Sequence, residues 1–532
     1  MKFTKVGSLK FLSTVLVSIA ILSACKTKTK APEKEVTTRP NIIFIMSDDH
    51  TTQAISAYDS IYEKYYPTPN IDRLADEGMR FDNVYCGNAI CGPSRAMILT
   101  GKYSHENGYY KNESGGHFNP NQWTFTEELH DNGYTTAMVG KWHLGAEPKG
   151  FDYYMYHNNP GQQGYYWNPI YNRNGKQVEI KGYCTDITTD TAITWLSKVK
   201  DTKKPFALLL HYKAPHRNWH PDKKYENMYP DTEMPYPTTF NDTYKGREKT
   251  AGDTWMTMDY FNRRDMKLTP PKSLEGKELQ KWEGYGNNDG ENWLPEGCAT
   301  VEEARKWKYQ RFIKDYLACV KSVDDNVGRV LDFLKENNLE ENTIVVYTGD
   351  QGFYLGDHGF FDKRFIYEES FRMPLLMRYP AKIKAGATNQ NLISNVDFAP
   401  TLIDYANISI PDAVQGKSFK NSTQGNLEVK WRDKVYYHYY EWPFWHHVQP
   451  HYGMRTSRYK IAHFYYNIDV WELYDLEKDP NEMNNVINTS SYKETVEKLK
   501  EELAQLRIEV GDTMSLQQFR EISDTDFGNI NY

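Results

Sequence analysis

The first regular pattern along the chain is Asn41-Ile-Ile-Phe-Ile-Met-Ser47, an unbroken apolar run between Pro40 and the pair Asp48-Asp49. A strand that is apolar on both faces belongs inside a parallel sheet covered on both sides by helices. Three further runs share this texture: Thr135 to Val139, Phe206 to His211 and Thr343 to Thr348. Helical patterns lie between them, among them Thr68 to Gly78, Arg95 to Leu99 and Tyr309 to Asn337. The alternation predicts an α/β fold, a mostly parallel sheet flanked by helices. Residues from about 217 to 305 carry Tyr, Pro, Asp, Lys and Trp without a clear period, and read as long loops and short helices over one face. After about residue 425 the texture changes. Val435 to Tyr440, Arg458 to Tyr466 and Val470 to Leu476 read as antiparallel strands and Ser491 to Val510 as a closing amphipathic helix, a smaller C-terminal α+β subdomain.

The opening segment is different in kind. Lys2, Lys5 and Lys10 precede an apolar run from Phe11 to Leu22, followed by Ser23-Ala24-Cys25, the pattern of a signal peptide with a small-residue cleavage site. The run is about a dozen residues long, short of the roughly 20 that a spanning helix needs. Its end resembles a bacterial lipobox, which implies cleavage before Cys25 and lipidation of the Cys25 thiol, so that the protein is anchored and does not span the bilayer. Lys26 to Val36 reads as a flexible tether. The expected organisation is a lipoprotein signal peptide over 1–24, a tether over 25–39, a catalytic domain over 40–425 and the C-terminal subdomain over 426–532. The expected location is exported, held by lipid on the periplasmic or cell-surface side of the outer membrane.

Composition narrows the partners. A net charge of -7 offers no basic excess for a polyphosphate chain, so no nucleic-acid partner is expected. Aromatic residues make up 14% of the 532, which suits stacking on sugar rings and equally suits filling a large core. Cys25 and Cys91 are set apart for chemistry. The other four cysteines, Cys86, Cys184, Cys298 and Cys319, show no zinc spacing, and both disulfides among them and free thiols remain open.

Chemically capable residues follow the predicted strands where α/β sheets collect their ligands. Asp48-Asp49, Lys141-Trp-His143 and Asp350-Gln351 each stand just past a run, and His216 lies five residues beyond His211. Paired Asp residues are also common turn and cap formers. Two carboxylate groups on neighbouring strand ends, however, can hold an oxygen-preferring cation. In Cys91-Gly-Pro-Ser-Arg95-Ala-Met-Ile-Leu-Thr-Gly101 a cysteine opens a helix, with Pro93 in its first turn and Gly101 at its end. Taken alone, Cys91 reads equally as an activated thiol and as a small buried residue. Arg95, one turn on, faces the same exposed amides and adds the preference for an anion.

Cys91-x-Pro93-Ser94-Arg95 with Leu99-Thr100-Gly101 resembles the signature of type I sulfatases, enzymes of the alkaline-phosphatase-like fold. The resemblance implies that Cys91 is oxidised to formylglycine by a formylglycine-generating enzyme. The hydrated aldehyde then offers one oxygen to attack sulfur and a second to expel sulfate. It implies Ca²⁺ held by Asp48, Asp49, Cys91 as formylglycine, Asp350 and the amide oxygen of Gln351, where many sulfatases carry Asn. Gly140-Lys-Trp-His-Leu-Gly145, Ala214-Pro-His216 and Asp362-Lys-Arg364 resemble the family's remaining catalytic segments. Arg95, Lys141 and Lys363 would hold sulfate, His143 would take a proton during sulfate release, and His216 would protonate the leaving alcohol.

The resemblance runs from Asn41 to about Asn485. Gly349-Asp-Gln-Gly-Phe-Tyr-Leu-Gly-Asp-His-Gly359 and the segment Asp362 to Glu369 look closest to the N-acetylglucosamine-6-sulfatase branch. This implies hydrolysis of the 6-O-sulfate of N-acetylglucosamine in host glycans of the heparan, keratan or mucin type. Asp362, Arg364 and His451 are the expected sugar contacts, although Asp362 and Arg364 equally suit a structural ion pair and His451 a turn cap. Three other readings compete: a sulfatase of another glycan position or an N-sulfatase, a phospho- or phosphonate-ester hydrolase of the alkaline-phosphatase superfamily, and a lipoprotein that only captures glycans. The last leaves the Cys91 helix and both acidic pairs unexplained.

Overall fold

The apolar run Asn41–Ser47 forms the first strand, β1, and all seven of its residues are buried. The computed structural model describes residues 39–112, 118–158, 161–283, 293–425, 431–443 and 446–525. The signal peptide, Cys25 and all of the tether but residue 39 lie outside the described residues. Nine more strands join β1: Met79–Phe81 (β2), Thr135–Gly140 (β3), Tyr153–His157 (β4), Ile170–Arg173 (β5), Lys176–Glu179 (β6), Phe206–Tyr212 (β7), Thr343–Gly349 (β8), Leu375–Arg378 (β9) and Ala387–Asn389 (β10). Their order across the sheet is β10-β2-β9-β8-β1-β7-β3-β4-β5-β6. The five central strands, β8, β1, β7, β3 and β4, are mutually parallel. β9, β5 and β6 pair antiparallel at the flanks.

Because side chains alternate along a strand, β1 feeds two separate apolar layers. Ile42, Phe44 and Met46 enter one together with Ala96, Ile98 and Leu99, and Ile43 and Ile45 enter the other. Helices Pro69–Asp76 (α1), Cys91–Thr100 (α2), Cys184–Val199 (α3) and Val301–Glu336 (α4) supply much of the cover. α2 lies on the first face, and α1, α3 and α4 lie on the second. A one-residue slip of β1 would exchange these two sets, and the burial of both fixes its register. At the end of β3, Gly140 has φ +114°, and a Cβ there would lie 1.8 Å from the His211 carbonyl oxygen on β7. Only glycine lets the chain turn out of the sheet at that point and present Lys141.

Three expectations are corrected. α4 starts at Val301, eight residues before the expected Tyr309, and its first turn is closed by a capping box in which Thr300 and Glu303 bond each other's backbone N–H. The spacing Thr300-x-x-Glu303 was visible in the sequence but fell inside a stretch read as long loops and short helices. The C-terminal sheet has four strands and not three: Lys434–Tyr439 (β11), His451–Thr456 (β12), Tyr459–Phe464 (β13) and Val470–Asp475 (β14), antiparallel in that order. The missed strand β12 carries Gly453, where a Cβ would lie 2.3 Å from the Ile461 carbonyl oxygen. Close approach of two strands requires a residue that weakens the strand pattern. Finally, helix Lys493–Glu509 (α5) is followed by one more helix, Leu516–Asp524; Leu499, Leu503, Leu506 and Phe519 bury their side chains against one face of the small sheet. Cys86, Cys91, Cys184, Cys298 and Cys319 are all free thiols. Among the described residues no helix is long and apolar enough to cross a membrane.

Candidate active site

Four of the five parallel strands deliver their following residues to one place. β1 leads into Asp48-Asp49, β8 into Asp350-Gln351, β3 into Lys141 and β7 towards His216. Asp49 turns in the left-handed region, φ 62°, which a short polar side chain tolerates better than most. The turn is fixed from two directions. The Asp49 N–H donates to Asp350 Oδ1 at 3.1 Å, and the Tyr316 hydroxyl of α4 donates to the Asp49 carbonyl at 2.7 Å.

Helix α2 starts at Cys91, so its free amides open onto the same corner. The Gly92 N–H donates to Asn112 Oδ1 at 3.1 Å, and a Cβ at Gly92 would lie 2.5 Å from the Tyr109 hydroxyl. Ser94 donates through Oγ to the Asp350 carbonyl and accepts from Asn395 Nδ2 at 2.9 Å, which locks the helix to the end of β8. Arg95 spans the corner. Its Nε donates to Asp350 Oδ2 at 3.0 Å, its Nη1 to the Lys141 carbonyl at 2.8 Å, and its Nη2 lies 3.6 Å from Asp48 Oδ1.

Carboxylate oxygens of Asp48, Asp49 and Asp350 lie within 4.8 Å of one another, all buried. Cys91 Sγ, an Asp48 oxygen and a His216 ring nitrogen form a second group of the same span. Lys141 Nζ pairs with Asp48 and Lys363 Nζ with Asp49, while His216 Nε2 stands 3.7 Å from Asp49 Oδ2. Removing one partner from a buried pair of this kind costs about 3–5 kcal/mol, so the cations and carboxylates hold each other in place.

Burial opposes ionisation of Asp48, yet Lys141, Arg95 and Lys363 hold its carboxyl well below the usual range. Asp49 is pushed up to about 7 by burial and by the charges of Asp48 and Asp350, against the pull of Lys363. Burial and Asp48 also raise Asp350. The carboxylate corner is thus short of positive charge. It also leaves Asp48 Oδ1, Asp49 Oδ2 and Gln351 Oε1 buried without a hydrogen-bond partner. Three orphaned oxygens in an under-compensated acidic nest fit a hard divalent cation, which takes oxygen ligands and supplies charge. Burial pushes the Cys91 thiol up to about 12, so the unmodified residue is not a thiolate at neutral pH. Burial likewise holds His143 and His216 well below the usual imidazole range, and both rings are neutral.

The expected sugar contacts divide. Asp362 and Arg364 flank Lys363 and pair with each other, with Arg364 Nη2 3.6 Å from Glu441 Oε1. His451 is not brought to the pocket. As the first residue of β12 it is fully buried, its Nδ1–H donates to the Gln449 carbonyl at 2.7 Å, its Nε2 accepts the Ile366 N–H at 3.1 Å, and its ring stacks on Phe464. Both nitrogens serve the backbone and leave nothing for a ligand. The residue that does reach Asp362 is His446, whose Nε2 lies 3.0 Å from Asp362 Oδ2. Its only sequence signal was its place in the aromatic and histidine run from Trp442 to His447.

Comparison with known proteins agrees with this geometry. The family model described as Sulfatase matches residues 40–408, and one described as N-sulphoglucosamine sulphohydrolase, C-terminal, matches 356–509. The chain belongs to the sulfatase family. An N-acetylglucosamine-6-O-sulfatase of Bacteroides thetaiotaomicron is 46% identical over 498 residues, 90% of this chain and 88% of the relative. An arylsulfatase of Clostridium perfringens is 28% identical over 512 residues, 87% of this chain and 93% of the relative. A solved structure of a protein in complex with its substrate D-glucosamine-2-N,6-O-disulfate is 42% identical, with a TM-score of 0.82, covering 90% of this chain and all of the other.

The acidic nest predicts a pH-dependent response to metal. In cation-free protein the folded pKa of Asp49, about 7, lies above its ordinary 3.8, so this group withdraws stability as pH rises from about 4 towards 7. A divalent cation would bind the ionised form, so that after chelation adding Ca²⁺ should raise the melting temperature more at pH 8 than at pH 5. Equal shifts at both pH values in scanning fluorimetry would count against a site built on these carboxylates.

Proposed function

We propose that this sulfatase removes the 6-O-sulfate of N-acetylglucosamine in host glycans, with formylglycine at position 91 and Ca²⁺ in the acidic nest. The observation that carries the reading is the meeting of Cys91 Sγ with Asp48 and His216 inside a ring of Arg95, Lys141 and Lys363. The choice of sugar leans on the 46%-identical relative and on the glucosamine disulfate bound in the similar solved structure.

Asp48, Asp49, Asp350, Gln351 and residue 91 would hold the cation, which as a Lewis acid neutralises sulfate oxygens. A formylglycine side chain supplies, as its hydrate, the oxygen nucleophile that a buried thiol of high pKa does not. The remaining work belongs to the chain's own side chains. Arg95, Lys141 and Lys363 bind the sulfate oxygens in a site that excludes water, where fixed charge acts most strongly. His216 holds one proton on Nδ1, which donates to the Arg217 carbonyl at 2.8 Å, and turns Nε2 to the pocket. The anionic substrate offsets Lys141 and Lys363, allowing Nε2 to take a second proton and pass it to the departing sugar oxygen. Asp362, Arg364 and His446 stand beside Lys363, where a sugar bearing the sulfate would lie.

A panel of defined sulfated mono- and disaccharides tests the substrate, read together with the mass of the Cys91 peptide. N-acetylglucosamine-6-sulfate should be cleaved best, and the peptide should carry an aldehyde in place of the thiol. Full activity with an intact cysteine throughout would exclude the chemistry, and faster cleavage of aryl phosphate than aryl sulfate would favour the phosphoester reading. His216→Ala should lower kcat by about 10²–10⁴-fold on the sugar sulfate. The loss should be much smaller on nitrophenyl sulfate, whose leaving group needs no proton. Equal losses on both would remove His216 from the acid role.

The same reading places the enzyme outside the cell's inner compartment, tethered through a lipid on Cys25. Cys25→Ala should move it from the membrane fraction to the soluble one, and an unchanged membrane association would refute the anchor.

A further inference from the structure

Residues 161–167, between β4 and β5, form a loop fastened to the two segments that carry the active-site histidines. Gln162 Oε1 accepts the Leu144 N–H at 3.0 Å and the Gly145 N–H at 3.2 Å, directly after His143. At the other end the Tyr166 hydroxyl donates to the His216 carbonyl at 2.6 Å. Gly164, φ +76°, lies so close over the buried His157 ring that a Cβ would come within 2.2 Å of its Nδ1. That contact sets the height of the loop.

Between these fastenings Gln163 Nε2 lies 2.9 Å from His143 Nε2. His143 is 3% exposed, and its other ring nitrogen, Nδ1, has no partner in the protein. The charged groups acting on the ring are those of the sulfate pocket: Lys141, Arg95, Asp48 and Lys363. A neutral imidazole has one N–H and one lone pair. An amide N–H directed at Nε2 requires the lone pair there and so puts the ring proton on Nδ1. Turned by half a rotation, the same amide would offer its carbonyl oxygen to an Nε2–H and leave Nδ1 free to accept. Gln163 is thus a partner for either state of the ring, a property that neither an alkyl side chain nor a carboxylate has.

We propose that Gln163 is a positioning residue that fixes the His143 ring and determines which of its nitrogens carries the proton. The proposal rests on the reading of His143 as the group that takes a proton at Nδ1 while sulfate is released. For that transfer the Gln163 amide turns and the ring proton exchanges from Nδ1 to Nε2, where Gln163 Oε1 accepts it; an O–H bond at residue 91 then breaks, an N–H bond forms at the vacated Nδ1, and the charge gained by the ring is shared with Gln163 through Nε2–H. The loop also links the catalytic steps: one face of it holds His143, the other the backbone of His216.

The test uses protein labelled with 15N-histidine, with His143 assigned through its own substitution and the ring nitrogens read by long-range proton–nitrogen spectra. The wild-type resting ring should be protonated on Nδ1. Gln163→Glu, which keeps the shape but only accepts, should move the proton to Nε2, and Gln163→Ala should give a mixture. Gln163→Ala should also lower kcat by about 10-fold with KM within a factor of two, as is typical when an outer partner of a working side chain is lost. The same tautomer in all three proteins would overturn the proposal, as would a raised KM with unchanged kcat, which would make Gln163 a substrate contact. Absence of sulfatase activity in the wild type would defeat the reading of the reaction and leave the tautomer result standing.

Discussion

Three carboxylates buried at one edge of a parallel sheet are the constraint around which the rest of this structure is arranged. Asp48, Asp49 and Asp350 stand where water cannot screen them, and a buried charge without a partner is far more costly than one in solvent. Arg95, Lys141 and Lys363 answer them, and each comes from a different part of the chain. The left-handed turn at Asp49, the glycine that frees Lys141 from β3, and the Ser94 bond that fastens α2 to β8 all serve to bring these six groups together. Even so, the balance is incomplete: the leftover oxygens and the raised pKa values of Asp49 and Asp350 mark where further positive charge belongs.

The same burial decides which chemistry the side chains can perform. A thiol held near 12 is a poor nucleophile, and two imidazoles held neutral are poor acids until an anion enters. On its own the site offers neither a thiolate nor a protonated imidazole, and both depend on the charges around them. The geometry of the site is set by strand ends and by a helix whose ten residues are all buried.

Much of this was legible in the sequence, for physical reasons that also show where legibility ends. The central strands announced themselves because both faces are buried and their residues are apolar without interruption, as in β1, β7 and β8. The residues just past those strands could be named as one set because a parallel sheet gathers its carboxyl ends. β12 was missed because Gly453, required by a close approach to β13, breaks the pattern of branched residues. His451 was misread for a related reason: a histidine beside aromatic residues looks the same in sequence whether it faces a ligand or bonds backbone on both sides. His446, which meets Asp362, and Gln163, which meets His143, are joined to their partners by packing alone, and no spacing encodes that.

The small C-terminal sheet does more than close the fold. The Tyr437 hydroxyl on β11 donates to the Arg364 carbonyl, and His451 on β12 takes the Ile366 N–H, so two strands grip the short stretch that follows Lys363. Asp48, Asp49, Lys141 and Asp350 follow strands of the large sheet and α2 packs on it, while Lys363 and the wall beside it are braced by the last quarter of the chain. The two could therefore diverge on separate schedules. A lineage could reshape which sugar it admits by altering one small sheet, and keep its way of breaking the ester unchanged.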